Sequence, residues 1–400
     1  MYQKERRKQM DEKDTPEAVF TREDPAATVT QNTTTTTGDP TTTAASPGAT
    51  IPIGSVTTTS PTLLNESYYH GLLPREDVQF LLKNNGDFLV RVSQPRSSDA
   101  ERQIIISLMV DKDADQQIGL RHIVVQNKNS KTLLNITFFL AEESPRFDLI
   151  QNLVDHFFKN GKPISPTIGN TILVTPIGRQ KWELRHSDIE LTKRLGAGVY
   201  GEVNRGKMKR KNYTVDVAVK SARTTVVTKE EIKEMMREAR IMRNYVYQNV
   251  VRIYGVALDD DPIMIVMELV RGGSLLEYLK SNSTKITDSE RLNHMTSSAA
   301  WGLEYLHSHI ASRNCLYDRN KNVKISDFGL SREGESFKMT TTQKVSIKWI
   351  APETLQNFTF TKSSDVYSFG VLISEIYNNG GVEPFEGQKT SEVKTMSKIL

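Results

Sequence analysis

The sequence predicts an α+β multidomain chain in which a disordered N-terminal tail precedes a small α+β unit and then a larger mixed unit. Three observations predict it: a length of 400 residues, an abrupt change of composition near Ser67, and two successive blocks of strand and helix patterns after that change. Four hundred residues exceed what one hydrophobic core usually serves, so at least two folded units are expected. The charge balance, 52 Lys+Arg against 48 Asp+Glu with a net charge of +4, argues against a sequence-blind polyanion binder, and nucleic acid is not an expected partner. A single cysteine, Cys315, excludes an internal disulfide and a Cys-rich zinc site and suits a reducing compartment, so a cytoplasmic location is expected. The start, Met1-Tyr2-Gln3-Lys4, lacks an apolar signal core, and Tyr2 occupies the place where N-myristoylation needs Gly. No long uncharged apolar run follows, so no transmembrane segment is expected.

Between Thr28 and Thr62 stand 15 Thr in 35 residues, one charged residue (Asp39), and no Leu or aromatic. Such a stretch cannot bury enough apolar area to offset its conformational entropy, and residues 1–64 are read as the disordered tail. The small unit follows over residues 68–176. Asp87–Val92, Gln103–Val110 and His122–Val125 are short β-rich runs, flanked by helical stretches from Pro74 to Lys83 and from Phe147 to Lys159. Asn160-Gly161 is expected to close the second helix. A basic connector over 177–188 leads to the larger unit, residues 189–400.

Within the small unit, Phe88-Leu89-Val90-Arg91-Val92-Ser93 places an arginine on a strand among apolar neighbours. A buried guanidinium needs an anion, and its planar fork suits a phosphate dianion; a structural arginine paired with an internal carboxylate is the plainer possibility. Ser93, Ser97 in the polar loop Arg96-Ser97-Ser98, Arg75 on the first helix and His122 on a later strand add donors. With the opening run Tyr69-His70-Gly71-Leu72-Leu73-Pro74-Arg75, this constellation resembles an SH2 domain. The resemblance implies a phosphotyrosine pocket of Arg75, Arg91, Ser93, Ser97 and His122, and tyrosine-phosphorylated proteins or peptides as partners.

In the larger unit, Leu195-Gly196-Ala197-Gly198-Val199-Tyr200-Gly201-Glu202-Val203 is a glycine-rich turn between two probable strands, where backbone amides approach phosphate oxygens closely. Alone this is weak, since dinucleotide folds share the spacing. The sequel decides: Val217-Ala218-Val219-Lys220 and then a helix bearing Glu238. That order resembles a bilobal protein kinase, and the resemblance implies that Lys220 grips the α and β phosphates of ATP while Glu238 orients Lys220. It also implies an ATP site along Leu195, Gly196, Gly198, Gly201, Val203, Ala218, Met267, Glu268 and Leu269, with the glycines at the phosphates and the strand to Leu269 at the adenine, and Mg2+ held by Asn314 and Asp327. Ala311-Ser312-Arg313-Asn314 and Ile347-Lys348-Trp349 resemble the tyrosine-specific branch. An SH2 domain directly before such a kinase resembles the Fes/Fer group, in its short form without the group's N-terminal membrane-binding helical domain. The implied activity is transfer of the γ-phosphoryl of ATP to protein tyrosines near phosphotyrosine sites.

Several positions depart from the family pattern. The family carries H-R-D-x-x-x-x-N, with Asp accepting the substrate proton. Here five positions before Asn314 stands His309, in His307-Ser308-His309, and the helix ending Leu303-Glu304-Tyr305-Leu306 runs so close to Asn314 that a short strand and the triplet itself read as deleted. With Arg313 and Asn314 kept and the base lost, severely reduced transfer is expected, with a phosphotyrosine-binding adaptor as the competing function. No tyrosine lies between Gly329 and Ala351, Phe337 standing where relatives carry a phosphorylated residue. Ser346 replaces a proline before Ile347. The chain ends at Leu400, before the arginine that would pair with Glu353, so a buried, unpaired Glu353 is expected.

Overall fold

A computed structural model of the chain describes residues 62–94, 101–129, 136–165, 171–198, 201–222, 228–306, 314–328, 336–339 and 346–396. The expected tail lies outside them as far as residue 61, but its end does not: Leu63 begins a 3-10 turn, Leu63–Asn65, and is fully buried. The folded unit therefore starts before residue 68, because Leu63 packs into the same core as Tyr68 and Tyr69.

The small unit is built on a sheet of order β3-β2-β1-β6, from β1 (Asp87–Ser93), β2 (Gln103–Met109), β3 (Leu120–Val124) and β6 (Thr175–Pro176). A separate ribbon, β4 (Gln126–Asn129) with β5 (Ile136–Phe139), stands beside it in sequence. β1 and β2 run antiparallel with Arg91 opposite Ile105, and β2 and β3 antiparallel with Ser107 opposite His122. Period-two alternation then puts Arg91, Ser107 and His122 on one face, while Phe88 on the other meets Phe158 at a ring separation of 5.6 Å. The first helix is shorter than the sequence predicts: α1 covers Arg75–Val78 only. Beyond it Phe80 and Leu81 donate to the carbonyls of Asp77 and Val78, tightening the chain into turns, and Asp87 receives the amides of Lys83 and Asn84. The second, α2 (Ile150–Asn160), starts later than predicted because Phe147 is bridged to Phe138. Gly161 ends it in the left-handed conformation at φ 58°, as Asn-Gly predicts.

The larger unit opens with a six-stranded sheet of order β7-β11-β12-β10-β9-β8: β7 (Glu183–Leu184), β8 (Ile189–Gly198), β9 (Gly201–Lys209), β10 (Thr214–Ser221), β11 (Ile253–Ala257) and β12 (Met264–Glu268). The expected linker is thus part of the fold, since β7 pairs parallel with β11 at the sheet edge. On β10, Val217 and Val219 are buried in one cluster with Met264 and Val266. The alternate residues Ala218 and Lys220 face the other way, toward helix α3 (Lys229–Arg243). α3 starts in a capping box, with Thr228 and Glu231 satisfying each other's backbone amides. The second lobe packs α4 (Leu275–Ser281), α5 (Ser297–Leu306) and α6 (Lys362–Tyr377) around the hairpin β13 (Cys315–Tyr317) with β14 (Val323–Ile325), through Leu279, Ala299, Leu303, Cys315, Ile325 and Leu372.

One apolar core joins the small unit to the first lobe. Leu72, Leu73 and Val78 share it with Ile232, Met235, Met236 and Ala239 of α3 and with Leu258 and Ile263 of the β11–β12 region. At about 1.5–3 kcal/mol per fully buried aliphatic side chain, this packing outweighs the surrounding ion pairs, which orient it. Those pairs include Glu76–Lys233 at 2.7 Å, Asp77–Arg240 at 3.2 Å and Arg102–Asp261 at 2.5 Å. Gly71, at φ 59°, is needed at this seam, since a Cβ there would lie 2.0 Å from the carbonyl oxygen of Leu258. The connector closes the seam: His70 Nδ1 is 2.7 Å from Glu183, His70 Nε2 is 2.9 Å from the Ile177 carbonyl, and the Arg243 guanidinium lies 3.8 Å over the Trp182 ring.

Candidate functional site

Two sites emerge, one in each unit. In the small unit Arg91 is 4% exposed, and no carboxylate pairs with it among the described residues. Its Nε donates to Ser107 Oγ at 3.1 Å and its Nη1 to the Leu73 carbonyl at 3.4 Å. Burial, with Arg75 nearby, lowers its pKa to about 10, so it keeps its charge at neutral pH. Ser107 Oγ in turn lies 2.9 Å from His122 Nδ1. Burial first, then Arg91 and Arg75, pushes the His122 ring down to about 3, so it is neutral and accepts the Ser107 hydroxyl proton at Nδ1. That tautomer leaves the Nε2 proton free to donate, and Nε2 is buried without a partner among the described residues. These groups line a pocket of about 510 Å³ whose wall also holds Arg75, Ser93 and Gln94.

Of the expected set, Arg75, Arg91, Ser93 and His122 thus come together, and Ser97 lies outside the described residues. Ser107 was not anticipated; its signal is one hydroxyl in the apolar run Ile104-Ile105-Ile106-Ser107-Leu108-Met109. The internal carboxylate partner for Arg91, the plainer possibility, does not appear among the described residues.

In the larger unit, Lys220 Nζ lies 2.7 Å from both carboxylate oxygens of Glu238. Glu238 is 5% exposed; burial raises its pKa against the pull of Lys220, which makes the ammonium essential to its ionised form. Asp327 Oδ1 is 4.0 Å from Lys220 Nζ, its carboxylate half exposed and its backbone left-handed at φ 65°. Phe328 beside it is buried against Tyr245. The β13–β14 pairing of Cys315 with Ile325 brings Asn314 to the same end of the hairpin as Asp327, and the Asn314 carbonyl accepts both the amide and hydroxyl of Ser326 at 2.8 Å. Met267 stands opposite Ala218 across β12 and β10. Glu268 is tied down by Lys324 at 2.8 Å, so its side chain braces the turn toward Leu269.

The glycine-rich turn divides in role. A Cβ on Gly196 would meet nothing within 4 Å, which leaves room for a ligand, whereas one on Gly201 would lie 2.1 Å from the Ser221 carbonyl oxygen. Gly201 therefore serves strand packing, a reason the spacing alone does not reveal. Gly198 pairs with Gly201 where β8 meets β9, Val203 is half-buried on β9, and Leu195 is half exposed. His309 and Arg313 lie outside the described residues. Glu353 departs from expectation: it is exposed in the first turn of a short helix, Pro352–Asn357, so no burial cost attaches to it. The residues present fit Mg-ATP: an oriented cation in Lys220, an open glycine turn, and Asn314 and Asp327 on two neighbouring loops, which would supply oxygen ligands to the metal.

A family model described as protein tyrosine and serine/threonine kinase matches residues 189–398, and one described as SH2 domain matches residues 68–157. The chain is 36% identical over 339 residues to Fer-related kinase 1 of Caenorhabditis elegans, spanning 83% of this chain and 82% of that protein. It is 36% identical over 340 residues to the tyrosine-protein kinase transforming protein Fps of avian sarcoma virus (strain PRCII), of which it spans 59%. Tyrosine-protein kinase Fer of Rattus norvegicus is 34% identical over 341 residues, with 38% of its length spanned. No helix among the described residues is long and apolar enough to cross a membrane. With an SH2 domain packed on a kinase domain and 36% identity to a Fer-related kinase over 82% of that protein, the chain belongs to the SH2-containing tyrosine kinases of the Fps/Fer group.

Proposed function

We propose that this chain is a cytoplasmic protein-tyrosine kinase that docks on tyrosine-phosphorylated proteins through the Arg91 pocket and binds Mg-ATP in the Lys220 cleft. It directs the γ-phosphoryl to tyrosines of the proteins it holds. The observation that carries this reading is the Lys220–Glu238 pair, closed at 2.7 Å with Asp327 at 4.0 Å. In this arrangement Lys220 holds the α and β phosphates and Glu238 keeps its ammonium in place. Gly196 and Gly198 admit the phosphates, and Ala218, Val203, Leu195 and Met267 enclose the adenine next to Glu268 and Leu269. Asn314 and Asp327 hold Mg2+, which neutralises phosphate charge when bound. The phosphotyrosine contacts are the free Arg91 N–H groups, Arg75, Ser93, Ser97 and His122 Nε2.

A second reading is favoured by one sequence observation. Five positions before Asn314 stands His309 rather than a carboxylate, within His307-Ser308-His309. An imidazole with an ordinary pKa near 6.5 accepts a proton at neutral pH, but a misplaced base loses about 10²-fold per ångström. A chain that loads nucleotide without transfer would act as a phosphotyrosine-binding adaptor. The two readings separate in a single-turnover assay on a Tyr-rich peptide, run beside a variant in which the missing strand and H-R-D triplet are restored before Asn314. The kinase reading expects Mg-ATP binding and slow transfer, faster by about 10²-fold in the variant. Mg-ATP binding with no transfer by the unaltered chain leaves the adaptor; no Mg-ATP binding rejects both as stated.

A further inference from the structure

The wall of the Arg91 pocket does not belong to the SH2 domain alone. Beside Arg75, Glu76, Arg91 and His122 it contains Lys229, Ile232 and Lys233, all from the first two turns of α3 in the kinase fold. Among the described residues of the SH2 domain, two arginines face one glutamate and a neutral imidazole, so the described part of its own wall carries a single net positive charge. A phosphotyrosine brings about −1.5 to −2 at neutral pH. Glu76 works against that ligand: burial opposes its charge, yet the Lys233 hydrogen bond holds its carboxyl below the usual range, so it stays ionised beside the pocket. Lys233, 2.7 Å from Glu76, cancels this repulsion, and Lys229 adds a further cation. With α3 in place the described wall carries three net positive charges.

Lys229 has a second peculiarity. It occupies the first position of α3, where the helix dipole is positive and an acidic residue is favoured, as Glu230 and Glu231 just after it are. A lysine there costs helix stability and gains nothing from the capping box, which Thr228 and Glu231 complete without it. An anion in the adjoining pocket reverses that balance, because the Lys229 ammonium that lines it then meets an opposite charge.

We propose that the phosphotyrosine site of this chain is composite: Lys229 and Lys233 of the kinase helix α3 are ligand-binding residues that add their charge to that of the SH2 wall. The proposal rests on the phosphotyrosine reading of the Arg91 pocket and adds to it a part that only the joined domains possess.

The test measures binding of a fluorescent, glycine-flanked phosphotyrosine peptide to the full chain by anisotropy, at low and at physiological salt. Lys229→Ala is expected to weaken binding about threefold and Lys229→Glu about tenfold or more, with a shallower salt dependence in both. Lys229→Glu suits the helix dipole, so its melting temperature should not fall, which separates lost binding from lost folding. Lys233→Met, which frees the Glu76 carboxylate, should also weaken binding severalfold. If Arg91→Ala abolishes binding while Lys229→Glu and Lys233→Met bind as the unaltered chain does, the composite pocket is overturned and the SH2 pocket stands. If Arg91→Ala itself binds normally, the phosphotyrosine reading falls and this proposal falls with it.

Discussion

Arg91 and Lys220 are both strand-borne cations at the centre of a candidate site, yet their surroundings differ in one respect. Arg91 is 4% exposed and, among the described residues, bonds a hydroxyl and a carbonyl, whereas Lys220 lies 2.7 Å from both oxygens of a buried carboxylate. The first charge is desolvated without a counter-ion among the described residues, so its stabilisation awaits a ligand. The second is neutralised inside the protein, so its ligand meets an ammonium already aimed. A pocket of the first kind spends folding stability on affinity; one of the second kind spends internal pairing on geometry.

Removing each cation breaks or sharpens that contrast. Lys220→Met leaves Glu238 buried and unpaired, which is expected to cost about 3 kcal/mol in urea unfolding, together with loss of Mg-ATP binding. Glu238→Gln is expected to keep more of that stability, since no bare charge remains. Arg91→Met should go the other way: phosphotyrosine binding falls about 10²-fold or more, as charge-assisted bonds are lost, while stability stays level or rises by about 1 kcal/mol. Equal losses of stability in Lys220→Met and Arg91→Met would show that the two cations are held alike.

The same contrast explains what the sequence reveals. Arg91, Lys220, Glu238 and Asp327 are legible because chemistry restricts their residue type and their order along the chain. Both sheets follow from β-rich runs and α2 from its spacing, apart from its first turn, which the Phe138–Phe147 bridge claims. The seam between the units is not legible. Glu76 meets Lys233, Asp77 meets Arg240, and Arg102 meets Asp261 across more than a hundred residues of chain, with ordinary surface residue types and no fixed spacing. The edge strand in the connector is hidden for the same reason, since Glu183–Leu184 is too short to show a period. Ser107 lay in plain sight, but a hydroxyl within a strand acquires meaning only when the register sets it beside Arg91 and His122.

His186 stands between the two extremes, as a cation whose charge pH can withdraw. Its Nδ1 lies 2.6 Å from Asp259 and its Nε2 2.9 Å from the Pro262 carbonyl, so both ring nitrogens face acceptors and both are best served as donors. Burial opposes the charged ring, but the Asp259 hydrogen bond, the Pro262 carbonyl and the Asp259 charge prevail, and the pKa is raised above its ordinary 6.5. Asp259 is held below the usual carboxylate range, although burial opposes this, by His186 and by Arg179 at 3.6 Å. A folded pKa above the unfolded one means that the His186 contribution is complete below about pH 6.5 and is lost as pH rises through the folded value. The Asp259 contribution, of opposite sign, is lost only in acid, below its unfolded value near 3.8. Melting temperature should therefore decline as pH rises above about 6.5, and His186→Gln, which keeps one donor but no charge, should remove that slope. A slope that survives in His186→Gln would assign the pH dependence to another group and leave this clip with Asp259 a neutral hydrogen bond.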